Sequence, residues 1–264
     1  MQDPDTPTQI MPHPDTSLME IALHHDLVRW REQLARSIAR TNLELHSDGI
    51  MAAVNRVLLP LLFLRVAEDR HLVPAGTLAR LRHERGIAAL MDELAPVADA
   101  LYSDEAPPLP HRQVPAGSPV LDARVVHGIL DVLLAPDRRY DLSRMPGLAL
   151  ARVMGQYLGR TVRRSATHMA AVVDTHDTVL SGTTLVPPDA LVEYLVTGAL
   201  ATARSGRKIR EVLPLRVFDP ACGSGTILLV VYQDLLEGAG GPALTFEERQ
   251  EILLHSVHGL DLSR

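Results

Sequence analysis

Between Leu18 and Thr41 the apolar residues Leu23, Leu27, Trp30, Leu34 and Ile38 recur at steps of three and four, the stripe of an amphipathic helix. Asn42 is placed to stop it. Ser47 or Asp48 can cap a second helix running to about Arg70, with Val54, Val57, Leu58, Leu61, Leu62 and Val66 inward and Pro60 at a kink. Shorter helical periods over 76–84 and 86–101 lead into DEAPPLPHRQVPAGSP (104–119), where proline breaks all periodicity. Helical spacing resumes in VLDARVVHGILDVLLAP (120–136) and MPGLALARVMGQYLGRTV (145–162). Residues 18–165 are therefore expected to form one all-α domain behind an acidic, proline-rich, unstructured tail at 1–17.

Beyond 165 the pattern changes. In SGTTLVPPDALVEYLVTGAL (181–200) a loop feeds a helix, with Pro187 and Pro188 where a missing N–H costs nothing and Asp189 at the positive end of the dipole. LRVFD (215–219) reads as a buried strand and TILLVVYQDLLE (226–237) as an apolar helix stopped by Gly238, Gly240 and Gly241. Thr245 and Glu248 form a capping box for a helix over 246–256, and SVHGLD (256–261) reads as a second strand. Residues 166–264 thus form a second unit, and the expected class is α/β.

Composition narrows the chemistry. An apolar content of 46% in 264 residues supports a real core, and a formal charge of −6 excludes a global basic field around the chain. One cysteine, Cys222, excludes an intrachain disulfide and a multi-cysteine zinc site and fits a reducing compartment, so cytoplasmic location is expected. The apolar run at 50–69 carries Asn55, Arg56, Pro60, Arg65 and Glu68, so it is expected as a buried helix rather than a membrane span. Of the 26 basic residues only Lys208 is lysine, so lysine-dependent chemistry must use it or be absent. His24–His25, His255, His258 and DTHDT (174–178) lack a metal-ligand arrangement. Two local basic clusters, Arg160, Arg163 and Arg164, and Arg204, Arg207, Lys208 and Arg210, can touch DNA phosphates or form a solvated face.

The stretch RVFDPACGSGTILL (216–229) runs from strand through a glycine turn into a helix, the general cradle of a nucleotide-like ligand. A phosphate-gripping loop is excluded because G-x-x-x-x-G-K-[ST] is absent, and Leu228 stands where a dinucleotide fingerprint has its third glycine. Asp219 at the strand end would repel a pyrophosphate but can face an amino group or hydroxyls. Asp261, at the end of the next strand, is placed to accept from ribose hydroxyls. S-adenosylmethionine meets both requirements.

At these residues the chain resembles the adenine-N6 DNA methyltransferases of restriction–modification and related phage-defence systems, especially the long type IIG-like methylases. Their first motif, D-P-A-C-G-S-G-[ST]-[FI]-L, is matched at all ten positions by 219–228, and G-[VL]-D-[IL] by GLDL (259–262). SGTTLVPPDALVEYLV (181–196), RVLLPLLFLRVAEDRHL (56–72) and YDLSRMPGLALARVMGQYLGR (140–160) are similar to further family segments. The resemblance implies a Rossmann-like domain at 166–264 that binds S-adenosylmethionine through Asp219, Pro220, Ala221, Cys222, Gly223, Ser224, Gly225 and Asp261. It also implies that the loop with Val186 and Pro187 closes over the cofactor, although Val186 replaces the family's Thr and Met154–Gly155 its Tyr–Glu. Adenine methylation further needs [DNS]-P-P-[YFW], which is absent here, and no nuclease site is present because Gly206 occupies the acid position before Lys208. The chain is therefore expected to bind cofactor, to have no catalytic residue of its own, and to act on DNA only with a complementary polypeptide carrying the rest of the sheet. The alternative is a non-catalytic partner- or DNA-binding module.

Overall fold

Leu23, Leu27, Trp30, Leu34 and Ile38 line one face of α1 (Pro14–Thr41), all of them buried; Trp30, the chain's one tryptophan, is 2% exposed. The computed structural model describes residues 14–84, 119–136, 140–167, 169–174 and 187–261. Helix α1 opens with Pro14, a residue suited to a first turn, so the end of the expected tail is helical. The helix expected at 86–101 and all but the last residue of the loop expected at 104–119 lie outside the described residues.

Helix α2 (Ser47–Asp69) is the centre of the first core, burying Ile50, Val54, Val57, Leu58, Leu61 and Leu64, and Pro60 sits within it. Its N-cap is His46, which makes no side-chain cap bond, so neither Ser47 nor Asp48 caps it; the Ser47 hydroxyl instead accepts from the Arg164 amide at 3.0 Å. By length and composition α2 could cross a membrane, but here more than half of its apolar window is covered by its neighbours. Arg65 pairs with Glu68 at 2.9 Å and with Asp69, and Glu68 also accepts from the Leu78 amide of α3 (Thr77–Glu84) at 2.6 Å. Helix α4 (Ala123–Leu134), capped by the Asp122 carboxylate, adds Val126, Ile129, Leu130 and Leu133 to this core.

The helix expected over 145–162 is a correction. Helix α5 (Gly147–Leu158) ends earlier, and Arg160–Arg164 is strand β1, antiparallel to β2 (Ala170–Asp174) with Val162 opposite Val172. The first unit is thus not all-α, and its core continues past 165 to Ala170. Helix α5 ends at its C-cap Gly159, whose amide donates to the Gly155 carbonyl at 3.0 Å, and α1 braces the change of direction. Arg31, 1% exposed, donates to the carbonyls of Tyr157 at 2.6 Å, in the last turn, and of Arg160 at 2.9 Å, where the strand begins. Its guanidinium lies 3.2 Å from the centre of the Tyr157 ring, and the Tyr157 hydroxyl donates to Asn55 at 2.6 Å. Burial pulls Arg31 below its ordinary pKa and pushes Tyr157 above its own. Arg164, at the far end of β1, donates to the carbonyls of Ala39 at 2.9 Å, Asn42 at 3.1 Å and Leu45, closing the carboxyl end of α1.

The second unit runs α6 (Asp189–Arg204), α7 (Ile209–Val212), β3 (Val217–Asp219), α8 (Thr226–Ala239), a short 3-10 turn (Gly241–Ala243), α9 (Phe246–Ser256) and β4 (Val257–Gly259). Thr245 and Glu248 form the capping box of α9 expected from the sequence. β3 and β4 pair in parallel, Val217 with Val257, Phe218 with His258 and Asp219 with Gly259. Val192, Val196, Leu200, Ile209, Val230, Val231, Leu235, Leu244 and Ile252 form a second core, joined by Leu148 of α5. Because Val153 and Tyr157 lie in the first core, α5 is the element the two cores share. Among the described residues the protein is a mostly helical α/β chain with two small sheets.

Arg31→Met should lower stability in urea unfolding by about 2 kcal/mol, since two buried carbonyls lose a charged donor while the apolar volume is kept.

Candidate functional site

Parallel pairing sends both strands out of the sheet on the same side, and the turn after β3 lies against the segment that follows β4. The Leu260 amide donates to the Asp219 carbonyl at 2.9 Å, and the Cys222 amide donates to the Leu260 carbonyl at 3.0 Å. Leu260 thus continues the strand pairing into the turn. One residue further, Asp261 Oδ2 accepts from the Gly223 amide at 2.8 Å. Asp219, Pro220, Ala221, Cys222, Gly223, Ser224, Gly225 and Asp261 are therefore brought together around one turn.

The turn is shaped from within. Asp219 Oδ1 accepts from the Ala221 amide at 3.0 Å, and the Gly225 amide donates to the Cys222 carbonyl at 2.8 Å. Gly225 is the N-cap of α8 at φ 79°, a conformation that side-chain-bearing residues rarely take. A Cβ placed on Gly223 or Gly225 would meet nothing within 4 Å, so the backbone here faces open space. Gly259 is the opposite case. A Cβ there would stand 2.7 Å from Leu228 Cδ1 and 2.8 Å from Cys222 Sγ, so β4 lies against the turn only because residue 259 has no side chain.

Cys222 is half-buried under this contact. Burial, then the carboxylates of Asp261 and Asp219, raise its thiol above the ordinary value. At neutral pH it is a protonated packing group, not a thiolate nucleophile. The two carboxylates bracket the turn from its two sides, and with the amino end of α8 they give the place both acceptors and donors. That combination suits a ligand carrying hydroxyl or cationic groups rather than a bare phosphate.

Pro187 and Pro188 lead into α6, with Pro188 at its N-cap, while Val186 lies outside the described residues. The basic clusters divide. Arg164 is committed to the end of α1, Arg210 donates to the Ala239 carbonyl and Arg160 pairs across the hairpin with Asp174 at 3.2 Å. Arg204 donates to the Leu200 carbonyl at 3.3 Å and Arg207 to the Arg204 carbonyl at 3.4 Å; Arg163, Arg207 and Lys208 have exposed side chains. Among the described residues no three His, Cys, Asp or Glu side chains gather as a metal site. Two polar roles were missed from the sequence. One is the Leu260 backbone, which has no side-chain signature; the other is Arg152, a cation inside an apolar helical stripe and visible as such in LALARVMG (148–155).

The chain is 20% identical over 249 residues to the type II restriction enzyme and methyltransferase RM.Eco57I of Escherichia coli, a match covering 88% of this chain and 24% of that protein. It thus spans about a quarter of that relative's length, and the similarity is a distant relationship to a restriction–modification methyltransferase. No family model matches the chain, and no solved structure matches it.

Gly259→Ala should cost about 1–3 kcal/mol in unfolding free energy, as expected for an added methyl with no room. Alkylation of Cys222 by iodoacetamide should be slower at pH 7 than that of an unhindered thiol. It should accelerate as pH rises past the ordinary thiol range, because a raised pKa leaves less thiolate at neutrality.

Proposed function

We propose that this chain is the S-adenosylmethionine-binding part of a site-specific DNA adenine-N6 methyltransferase acting in restriction–modification or phage defence. The observation that carries the reading is the turn D-P-A-C-G-S-G-T-I-L (219–228) held by its amide at Gly223 to the carboxylate of Asp261. The distant similarity to a restriction–modification methyltransferase supports it. So does the crossover from β3 through α8 and α9 to a parallel β4, the way a Rossmann-like sheet begins.

In this reading Asp261 accepts from the ribose hydroxyls, and Asp219 faces the positively charged part of the cofactor. The backbone of 221–225 packs against it without side chains at 223 and 225, and Pro187 forms the neighbouring wall. When bound, the cofactor supplies an electrophilic methyl group. Holding the target adenine requires a [DNS]-P-P-[YFW] segment, which does not occur in these 264 residues, so in this reading that segment is supplied from elsewhere and DNA is the partner acted on.

The sheet supports the need for further structure on separate grounds. Val217 and Val257 pack on the second core, whereas Phe218, its neighbour His258 and Leu260 are exposed, Phe218 by 60% and Leu260 by 59%. Parallel sheets are stable when both faces are covered and rarely stand as two strands. Further parallel strands at its edges and helices over that face would complete it, and this is also the form a non-catalytic docking role would take.

Calorimetry should show saturable binding of S-adenosylmethionine by the chain, and Asp261→Ala should weaken it at least about tenfold, the loss of one charged hydrogen-bonding partner. No binding by the unaltered chain overturns the reading. Labelled methyl transfer to DNA by the chain alone should be undetectable.

A further inference from the structure

Arg152 stands on α5, the helix the two cores share, and ties together three elements. Its Nε donates to Glu20 Oε2 of α1 at 3.0 Å, and Nη2 donates to Glu20 Oε1. Its Nη1 donates to both carboxylate oxygens of Asp189, at 2.9 and 2.8 Å. All three side chains are mostly covered, with exposures of 19% for Arg152, 18% for Glu20 and 25% for Asp189. This is one cation between two carboxylates, in a setting where water screens them poorly.

Asp189 is the first residue of α6, directly after Pro187 and Pro188. Which end of the second unit it occupies follows from the other end of the same helix. Beyond the carboxyl end of α6, Ile209 fills the space over Gly238, where a Cβ would be 2.4 Å from its Cγ1, and Arg210 donates to the Ala239 carbonyl. Both anchors are at the carboxyl end of α8. Helices α6 and α8 have 16 and 14 residues and pack together in the second core through Val192, Val196 and Leu200 against Val230, Val231 and Leu235. They therefore run in the same direction with nearly equal length, and Asp189 lies toward the end of α8 where Gly225 opens the turn.

We propose that Arg152 is a positioning residue for the cofactor site. By gripping Asp189 and bracing it on Glu20, it holds the amino end of α6, with Pro187 and Pro188, beside the glycine turn as a fixed wall of the crevice. The proposal rests on the cofactor reading above. The physics is asymmetric: with the guanidinium gone, two half-buried carboxylates face each other, and the helix end bearing Asp189 is the one pushed away. Neutralising Asp189 as well removes that repulsion.

The test compares the unaltered chain with Arg152→Met, Arg152→Met combined with Asp189→Asn, and Arg36→Ala, which breaks an exposed pair with Glu32 elsewhere on α1. Affinity for S-adenosylmethionine is read by calorimetry well below the unfolding temperature, and amide hydrogen exchange is read over the first two turns of α6. Arg152→Met should weaken binding at least tenfold and speed exchange over 189–195. The double variant should recover part of both, and Arg36→Ala should change neither. Equal affinity for Arg152→Met and the unaltered chain overturns this proposal alone. So does a loss that follows melting temperature and is not relieved by Asp189→Asn. An unaltered chain without affinity overturns the cofactor reading and this proposal together.

Discussion

Everything at the candidate site depends on β3 and β4 being parallel. Two antiparallel strands can be joined by a tight turn, but two parallel strands must be joined by a crossover, and here α8 and α9 supply it. The same constraint brings both carboxyl ends to one edge. Asp219 and Asp261, 42 positions apart in the chain, consequently bracket a single turn. The turn needs little else to hold its shape: Leu260 continues the pairing, Gly259 permits close approach and Asp261 takes the Gly223 amide.

The first core contributes rigidity rather than ligands. Arg31 reaches two carbonyls where α5 ends, and Arg164 reaches three where α1 ends, so two arginines far apart in sequence add long-range donors to helix ends that Gly159 and Asn42 cap locally. A guanidinium suits this work because it offers several donors in a fixed plane and never loses its charge in the physiological range. With α5 fixed by Arg31 on one side and carrying Leu148 and Arg152 on the other, the second core is built on a foundation that does not depend on the glycine turn.

Much of the fold was legible from the chain. Period-four stripes marked α1, α2, α4, α6 and α8, and the strand–glycine–helix pattern marked the site, because those signals lie within a few residues of one another. What was not legible depended on partners distant in sequence. RTVRR (160–164) follows a helical stripe with one glycine, Gly159, to mark the stop, and the donors that Arg31 brings to the Tyr157 and Arg160 carbonyls come from a helix more than 120 positions away. His46 is the N-cap in place of the better capping residues beside it, and the Ser47 hydroxyl is engaged by the hairpin, a partner 117 positions away. The sequence leaves Arg160, Arg164 and Arg210 as candidates for DNA phosphates or a solvated face; the structure adds that their side chains meet helix ends or pair across strands, which composition alone does not carry. The sequence places Asp261 to accept from hydroxyl groups, and the structure adds that one of its oxygens holds the loop through Gly223.

Trp30 sits deep in the first core, and the sequence has no other indole. Tryptophan emission from this protein is therefore an optical signal from one core alone: it brightens, shifts or quenches with the environment of α1, while the glycine turn and Asp261 are dark to it. A change in that emission when a small molecule enters the turn would be a mechanical message, carried across α5 from one core to the other.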